Sequence, residues 1–247
     1  MNPSRLGPGT RFKPINYNDC REDCHTHITE GPVRVFFSCM EDHLVKYIGQ
    51  ASYAVGCACW LTNRNIIDAL ERMRGVKIIV SKEEFLNPKM QSAQRFSYSC
   101  IRGCYNALSD LSKAMCTCCP EPTVASLCPN YRHTFGTRMH DLPIDGAVLT
   151  CGIVNHGSRM HHKFLVFFDE SFKPIGVWTG SYNFSRNSNH SLENALYVTE
   201  PRVIQEYIKE FLAIYLLAEK YDWTSSLMCD SRKSLAVSPI SPVHPAA

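Results

Sequence analysis

Residues 159–194 read RMHHKFLVFFDESFKPIGVWTGSYNFSRNSNHSLEN, and the rest of the chain is organised around this stretch. The apolar runs at 164–168 and 175–179 each have the length and composition of a buried strand. A third strand-like run follows at 195–198. Short apolar runs separated by polar residues predict neighbouring strands of one sheet.

Polar side chains stand at the ends of these predicted strands. Because successive side chains of a strand alternate between its faces, His161 and Lys163 are expected on the same face. His162 is expected on the opposite face. By the same parity, Ser181 and Asn183 share a face if the extended backbone continues past 180. The pattern predicts that two adjacent strands present His, Lys, Ser and Asn together.

This set of side chains suits a phosphate group. Lysine supplies a positive charge, asparagine an amide donor and serine a hydroxyl, and histidine is a nucleophile or proton carrier near neutral pH. A carboxylate such as Glu193 could hold the imidazole in one tautomer. The alternative is a hydrogen-bonded histidine at a strand end beside a solvated lysine. The combination of HxK, GSxN and EN favours the anion site.

The motifs resemble those of a known family. His161-x-Lys163 followed by Gly180-Ser181-x-Asn183 resembles the HxK…GSxN signature of the phospholipase D superfamily. MHHKF and TGSYNFS…EN are similar to its small single-motif members, of the bacterial endonuclease and mitochondrial cardiolipin hydrolase types. The resemblance implies an α/β fold, a layered α-β-α phospholipase D-like domain with a central mixed sheet. One position departs from the family pattern: Phe168 stands where the family usually has Asp, and Asp169 comes one residue later.

The resemblance also implies a mechanism. Family members use two HxK motifs, and this chain has one, so a two-fold homodimer with a shared active site is expected. His161 of one subunit would attack phosphorus to give a phosphohistidine, and the second His161 would protonate the leaving oxygen. Lys163 and Asn183 would hold the phosphoryl oxygens, Ser181 would help build the pocket, and Glu193 would orient His161. This chemistry requires no catalytic metal or other cofactor.

Three functions are compatible with these motifs. The first is a metal-independent phosphodiesterase acting on nucleic acid, an endonuclease cleaving DNA or RNA. The second is a phospholipase D-type lipid hydrolase, which uses the same chemistry. The third is a catalytically inactive scaffold or binding module, for which Phe168 at the usual Asp position is the argument. The presence of all the other motif residues favours an enzyme.

Charge and hydropathy restrict the ligands and the cellular location that can be expected for this protein. The chain has 247 residues and a formal net charge of +3, so nucleic-acid binding would require a local basic surface. No apolar run approaches the roughly 18 to 20 residues that a transmembrane helix needs. The N-terminal residues lack the apolar core of a signal peptide. A cytoplasmic location without a transmembrane segment is therefore expected.

The chain divides into three parts by composition. Residues 1–30 form a lead-in with a Cys–His group, Cys20-x3-Cys24-His25-x-His27, that could bind zinc. Residues 31–223 form the phospholipase D-like domain, and residues 224–247 a disordered tail. Within the domain we expect strands at 33–37, 53–62 and 76–80, helices at 41–50, 65–74 and 201–221, and a strand at 145–154 beside the signature strand.

A cysteine-rich insertion interrupts the domain at residues 98–133. The chain has thirteen cysteines and no secretion signal, so metal ligands or reduced thiols are favoured over disulfides. Free or redox-active thiols remain the alternative to a structural zinc ion. The candidate zinc ligands are Cys100, Cys104, Cys116, Cys118, Cys119 and Cys128.

Overall fold

The computed structural model describes residues 16–20, 31–83, 86, 95–119, 121, 123–135, 144–152 and 159–221. The candidate ligands Cys24, His25 and His27 lie outside the described residues, as does the predicted tail at 224–247. The strands, in chain order, are β1 (Val33–Phe36), β2 (Tyr53–Ala58), β3 (Gly75–Ser81), β4 (Met115–Cys116), β5 (Thr123–Val124), β6 (Val148–Cys151), β7 (Lys163–Phe168), β8 (Pro174–Gly180), β9 (Ala195–Val198) and β10 (Glu219–Lys220). The helices are α1 (Met40–Gly49), α2 (Arg64–Glu71), α3 (Arg95–Ala107), α4 (Pro129–Phe135) and α5 (Pro201–Tyr215).

The main sheet has eight strands in the order β1-β9-β8-β7-β2-β3-β6-β10. Strand β3 runs parallel to both β2 and β6, and the other neighbouring pairs are antiparallel. The sheet is therefore mixed, as predicted. Strand β7, which carries the HxK motif, lies at its centre between β2 and β8.

Two cores cover the two faces of this sheet. On β7, Leu165 and Phe167 belong to the first core, which includes α1, α2 and part of α3. The alternating residues Phe164, Val166 and Phe168 belong to the second core, which is built mainly with α4 and α5. An apolar run buried on both faces is typical of a central strand. The layered α-β-α architecture is confirmed.

One predicted pairing is wrong. The strand expected at 145–154 forms as β6, but it pairs with β3 and β10 and does not lie beside β7. The reason is that both edges of β7 are already occupied, one by β2 and the other by β8. The expected helix at 201–221 also ends earlier, at Tyr215, and the chain then adds β10 to the sheet edge.

The cysteine-rich insertion is fixed to the sheet by a buried ion pair. The Lys77 Nζ of β3 lies 2.6 Å from Asp110 Oδ1, and both side chains are almost fully buried. Lys77 also donates to the carbonyl oxygens of Ile144 and Gly146. The backbone N–H of Gly146 donates to Asp110 Oδ2. The pair therefore joins β3 to the insertion and to the segment that follows it.

No helix in the described part of the chain combines the length and the apolar composition that a membrane span needs.

Candidate functional site

The motif residues meet at one end of the central strands. His161 precedes β7, Lys163 is its first residue, and Ser181 and Asn183 follow the end of β8. Together they border an open cleft of about 690 Å³. Its lining consists of His161, His162, Lys163, Phe164, Thr179, Gly180, Ser181, Asn183, Glu206, Tyr207 and Glu210.

Lys163 and His161 are in direct contact. The Lys163 ammonium lies 2.9 Å from His161 Nδ1 and donates to the His161 carbonyl oxygen at 2.7 Å. An ammonium has only donors, so Nδ1 must be the acceptor and the neutral ring carries its proton on Nε2. The shared face predicted from strand parity is what permits this contact.

The surroundings favour a neutral imidazole. Burial lowers the pKa of His161, and the nearby cations of Lys163 and Arg159 lower it further. Burial also lowers the pKa of Lys163, whose side chain is only 8% exposed. The negative charge of Glu193 opposes that shift. At neutral pH the ring of His161 is therefore mostly uncharged, which is the form that can act as a nucleophile.

Ser181 is held by the EN motif. The Ser181 hydroxyl donates to Glu193 Oε2 and accepts the backbone N–H of Asn194 at 3.0 Å. The backbone N–H of Ser181 is 3.0 Å from both the carbonyl oxygen and the Oδ1 of Asn194. These reciprocal bonds fix the turn that leaves β8 against the start of β9.

Gly180 makes that turn possible. Its φ of +154° is a backbone conformation that side-chain-bearing residues rarely adopt. A Cβ at this position would lie 2.3 Å from the carbonyl oxygen of Asn194 and 2.7 Å from the Cα of Ala195. The glycine of the GSxN motif is therefore required by the close approach of two backbone segments.

Asn183 has an unused hydrogen-bonding group at the cleft. Among the described residues, its Oδ1 is buried and has no hydrogen-bond partner. Buried polar atoms are normally paired, and exceptions often mark functional positions. The amide oxygen and nitrogen are interchangeable by a flip of the side chain. Asn183 can therefore present its NH₂ group to an anionic ligand in the cleft.

The loop carrying Asn183 is anchored on both sides. The buried Tyr182 donates its hydroxyl to Asn189 Oδ1 at 2.5 Å. The carboxylate of Glu41 accepts amide groups from Asn63, Asn65 and Asn189. These bonds tie the loop to the first turns of α1 and α2 and limit the freedom of the cleft wall.

The structure brings four of the five predicted catalytic residues to the cleft lining: His161, Lys163, Ser181 and Asn183. Glu193 lies behind them, bonded to Ser181. Within the described residues, no hydrogen bond joins Glu193 to His161, so the orienting role of Glu193 stays a prediction. The structure instead links Glu193 to the pocket through Ser181.

Phe168, the residue that departs from the family pattern, lies far from this cleft. Phe168 is buried in the second core at the other end of β7. Asp169 Oδ1 accepts the backbone N–H groups of Ser171 and Lys173 and so stabilises the β7–β8 turn. Six strand residues, each rising about 3.3 Å, place this turn roughly 20 Å from His161. The departure from the family pattern therefore affects the β7–β8 turn and leaves the residues that line the cleft unchanged.

Helix α5 contributes residues that the sequence patterns did not identify. Glu206, Tyr207 and Glu210 line the cleft. His162 Nε2 lies 3.0 Å from Glu210 Oε1, and the Tyr207 hydroxyl donates to Thr179 Oγ1 at 3.0 Å. The apolar residues Ile204, Ile208 and Phe211 of this helix pack into the second core. Glu206 and Glu210 are one helical turn apart, a spacing that places both on one face of the helix.

The six candidate zinc ligands do not form one group. Cys116, Cys118, Cys119 and Cys128 have sulfur atoms within 4.8 Å of one another. Cys104 belongs to the first core, on the opposite side of the sheet from Cys116 and Cys128 in the second. Cys100 shares helix α3 with Cys104, whose thiol donates to the Cys100 carbonyl oxygen at 2.9 Å. The predicted inclusion of these two residues in a common site is wrong.

Comparisons with known proteins agree with the motifs. Residues 44–215 match the domain family described as "Cardiolipin synthase, PLD-like domain". A relative, an uncharacterized protein of Acanthamoeba polyphaga mimivirus, is 46% identical over 224 residues, which are 90% of this chain and 79% of the viral protein.

Two solved structures resemble the structure of this chain, each at 14% sequence identity. They are a phospholipase D family member, Nuc, from Salmonella typhimurium (76% of this chain, 95% of that chain, TM-score 0.44) and NucT from Helicobacter pylori (76%, 98%, TM-score 0.48). Because both TM-scores are below 0.5, the family assignment rests on the domain match, which covers most of the chain. The chain belongs to the phospholipase D superfamily.

Proposed function

We propose that this protein is a metal-independent phosphodiesterase, an endonuclease that cleaves nucleic acid through a phosphohistidine intermediate in a homodimeric active site. The observation that carries the proposal is the contact of Lys163 with His161 at a cleft that Ser181 and Asn183 also border. The membership of the superfamily supports phosphodiester chemistry.

Substrate binding would rearrange the histidine–lysine contact. A phosphodiester carries a negative charge, so it would attract the Lys163 ammonium and the Asn183 amide to its non-bridging oxygens. Lys163 would then release Nδ1 of His161. A ring that attacks through Nε2 carries its proton on Nδ1, and the Glu193 carboxylate is the predicted acceptor for that proton.

The reaction would proceed in two balanced steps. In the first, His161 Nε2 forms a bond to phosphorus, the bond to the leaving oxygen breaks, and His161 of the partner subunit gives that oxygen a proton. In the second, the partner's His161 takes a proton from water, the water oxygen bonds to phosphorus, and the nitrogen–phosphorus bond breaks. Lys163 and Asn183 would stabilise the charge that develops on the phosphoryl oxygens in both steps.

The need for a partner subunit follows from the number of suitable histidines. The HxK motif occurs once in the chain. His162 also borders the cleft, but it pairs with Glu210 on α5 and projects to the opposite face of the strand. One chain therefore supplies one histidine of the HxK type, whereas the mechanism uses a nucleophile and an acid.

A polar groove next to the cleft favours a nucleic acid over a lipid. Asn183 belongs both to the cleft and to an adjoining groove of about 380 Å³. That groove is lined by hydroxyl and amide side chains, by Trp60, and by the carboxylates of Glu83 and Glu193. Glu83 is paired with Arg159, and Glu193 accepts the Ser181 hydroxyl. Amides and hydroxyls suit phosphates and base edges, and an aromatic ring can stack on a base.

We expect the cleft to act without a metal ion because it has a cation of its own. The Lys163 ammonium lies 2.9 Å from His161 Nδ1 at the cleft lining. The positive charge that a metal ion supplies to phosphoryl transfer in other enzymes would here come from Lys163.

The decisive experiment measures cleavage of labelled single-stranded DNA and RNA in EDTA. We expect the native chain to cleave at least one of them and His161→Ala to lose this activity. His162→Ala is the matched control, because it removes the neighbouring imidazole of the same cleft and should remain active. Cleavage of phospholipid head groups in place of nucleic acid would identify a lipid hydrolase. Failure on both substrate classes would indicate an inactive binding module.

A further inference from the structure

Four cysteines of the insertion form a compact sulfur cluster away from the cleft. Cys116 ends β4, Cys118 and Cys119 follow in a bend, and Cys128 directly precedes α4. Cys116 and Cys128 are buried, whereas Cys118 is exposed and Cys119 is half-buried. The phosphodiesterase site uses none of these residues.

The sulfur spacing suits a tetrahedral metal ion. The Sγ of Cys128 lies 3.1 Å from that of Cys116 and 3.3 Å from that of Cys118, and the Cys118 and Cys119 sulfurs are 4.0 Å apart. Zinc–sulfur bonds of about 2.3 Å in a tetrahedron place sulfurs about 3.8 Å apart. The observed distances lie on both sides of this value. A disulfide would need two sulfurs about 2.05 Å apart, much closer than these pairs.

Hydrogen-bond donors around the cluster are placed to stabilise deprotonated, negatively charged cysteine sulfurs. The backbone N–H of Cys118 donates to Cys116 Sγ at 3.3 Å. The Asn130 side-chain amide lies 3.6 Å from the Cys118 sulfur. Hydrogen bonds of this kind around metal-bound thiolates fix their orientation and reduce their charge.

We propose that Cys116, Cys118, Cys119 and Cys128 bind one zinc ion in a closed, four-thiolate structural site. On binding, the thiols lose their protons and each sulfur gives an electron pair to the metal. A site with four protein ligands leaves no open position for substrate or water, so it has no catalytic role. Zinc is favoured over copper or nickel because four sulfurs in a tetrahedron are typical of zinc or iron–sulfur centres.

The site would fasten the insertion to the sheet at the end opposite the cleft. Residues around the cluster bond to the β7–β8 turn: Thr117 Oγ1 to the Glu170 carbonyl oxygen at 2.9 Å and Asn130 Nδ2 to the Ser171 carbonyl oxygen at 3.1 Å. The buried Tyr53 donates its hydroxyl to the Met115 carbonyl oxygen at 2.7 Å. Strands β4 and β5 have two residues each and are too short to hold the insertion alone.

The test is metal content by elemental analysis of purified native chain and cysteine variants. Cys118→Ser is the first variant, because its exposed side chain can be changed with little effect on packing. We expect one zinc ion fewer per chain in Cys118→Ser and in Cys128→Ser than in the native protein. The double variant Cys100→Ser/Cys104→Ser is the matched control, because Cys104 belongs to the core on the opposite face of the sheet and Cys100 shares its helix. It should keep the full zinc content.

A second measurement does not depend on how the variants fold. Native chain produced in cobalt-containing medium should show the visible absorption of tetrahedral cobalt bound to four thiolates. Zinc content that is unchanged in Cys118→Ser and Cys128→Ser would overturn the proposal, as would a cobalt spectrum of octahedral oxygen coordination. Iron in place of zinc would overturn the zinc assignment. Neither readout involves phosphodiester cleavage, so the result is separate from the outcome for the proposed function.

Discussion

The ammonium of Lys163 donates to Nδ1 of His161 and, at the same time, to the carbonyl oxygen of that residue. The pair therefore sets both the tautomer and the charge of the imidazole. The contact also keeps the otherwise buried ammonium hydrogen-bonded beside the cleft. A phosphate that replaced His161 as the partner of Lys163 would free the nucleophile and neutralise the cation together.

This pairing predicts a specific change in the pKa of His161. Replacing Lys163 with Gln removes a cation that lowers this pKa, so the pKa should rise. NMR titration of the imidazole in the native chain and in Lys163→Gln measures the change directly. The ring of His190, which does not line the cleft, serves as the internal reference. An unchanged His161 pKa would mean that the Lys163 charge does not act on the ring.

The proposed shared active site predicts the behaviour of mixed dimers. A heterodimer of native chain and His161→Ala, purified with two different affinity tags, would contain one of the two catalytic histidines. We expect its activity to fall about 10²-fold or more below the native dimer, the size typical for loss of a general acid or base. Independent subunits would instead leave half of the native activity. A monomer with full activity would also contradict the shared site.

Much of this arrangement was predictable because strand parity is a local property. The alternation of side chains in β7 placed His161 with Lys163 and separated them from His162, and the structure has all three in those positions. The apolar runs predicted β7, β8 and β9 because β7 is buried along its whole length, β9 along most of its length and β8 at its centre. The mixed sheet and its helical layers followed from the family resemblance.

The features that sequence did not predict depend on long-range packing. The face of the sheet on which α3 packs separates Cys104 from the other insertion cysteines, and no local spacing determines that face. The pairing of β6 with β3 depends on the strand order of the whole sheet. The polar face of α5 reaches the cleft because the helix crosses β7 and β8, so the role of Glu210 beside His162 required the tertiary structure.

Gly180 provides a test of the backbone requirement in the GSxN motif. Gly180→Ala places a Cβ against the carbonyl of Asn194 and forces alanine into an unfavourable φ. We expect a loss of about 1–3 kcal/mol in the free energy of unfolding, together with reduced cleavage because Ser181 shifts. Denaturant titration measures the first effect and the nuclease assay the second.

Gly103→Ala is the matched control for this substitution. Gly103 lies inside α3, and a Cβ there would meet no atom within 4 Å. Alanine is the better helix former, so this variant should be more stable by up to about 1 kcal/mol. Equal effects of the two substitutions on stability would show that Gly180 has no special backbone role.

The buried pair of Lys77 and Asp110 predicts a large stability effect away from the cleft. Asp110→Ala leaves the buried ammonium without its counter-charge, which should cost about 3–5 kcal/mol of unfolding free energy. The double variant Lys77→Met/Asp110→Ala removes both charges and should be more stable than Asp110→Ala alone. Asp68→Ala is the control, since its pair with Arg64 is solvent-exposed and should contribute little to stability.

The pair of Lys77 and Asp110 also predicts how the free energy of unfolding depends on pH. Burial alone would raise the pKa of Asp110, but the Lys77 charge and the Gly146 N–H more than offset it, so the pKa is lowered from its ordinary value of 3.8. The stabilisation from the Asp110 carboxylate should therefore be complete above pH 3.8 and should be lost as the pH falls through the lower, folded-state pKa. Comparing the unfolding free energy of native chain and Asp110→Asn across this range isolates the contribution. If their difference stayed constant below pH 3.8, the carboxylate would not be ionised in the native protein.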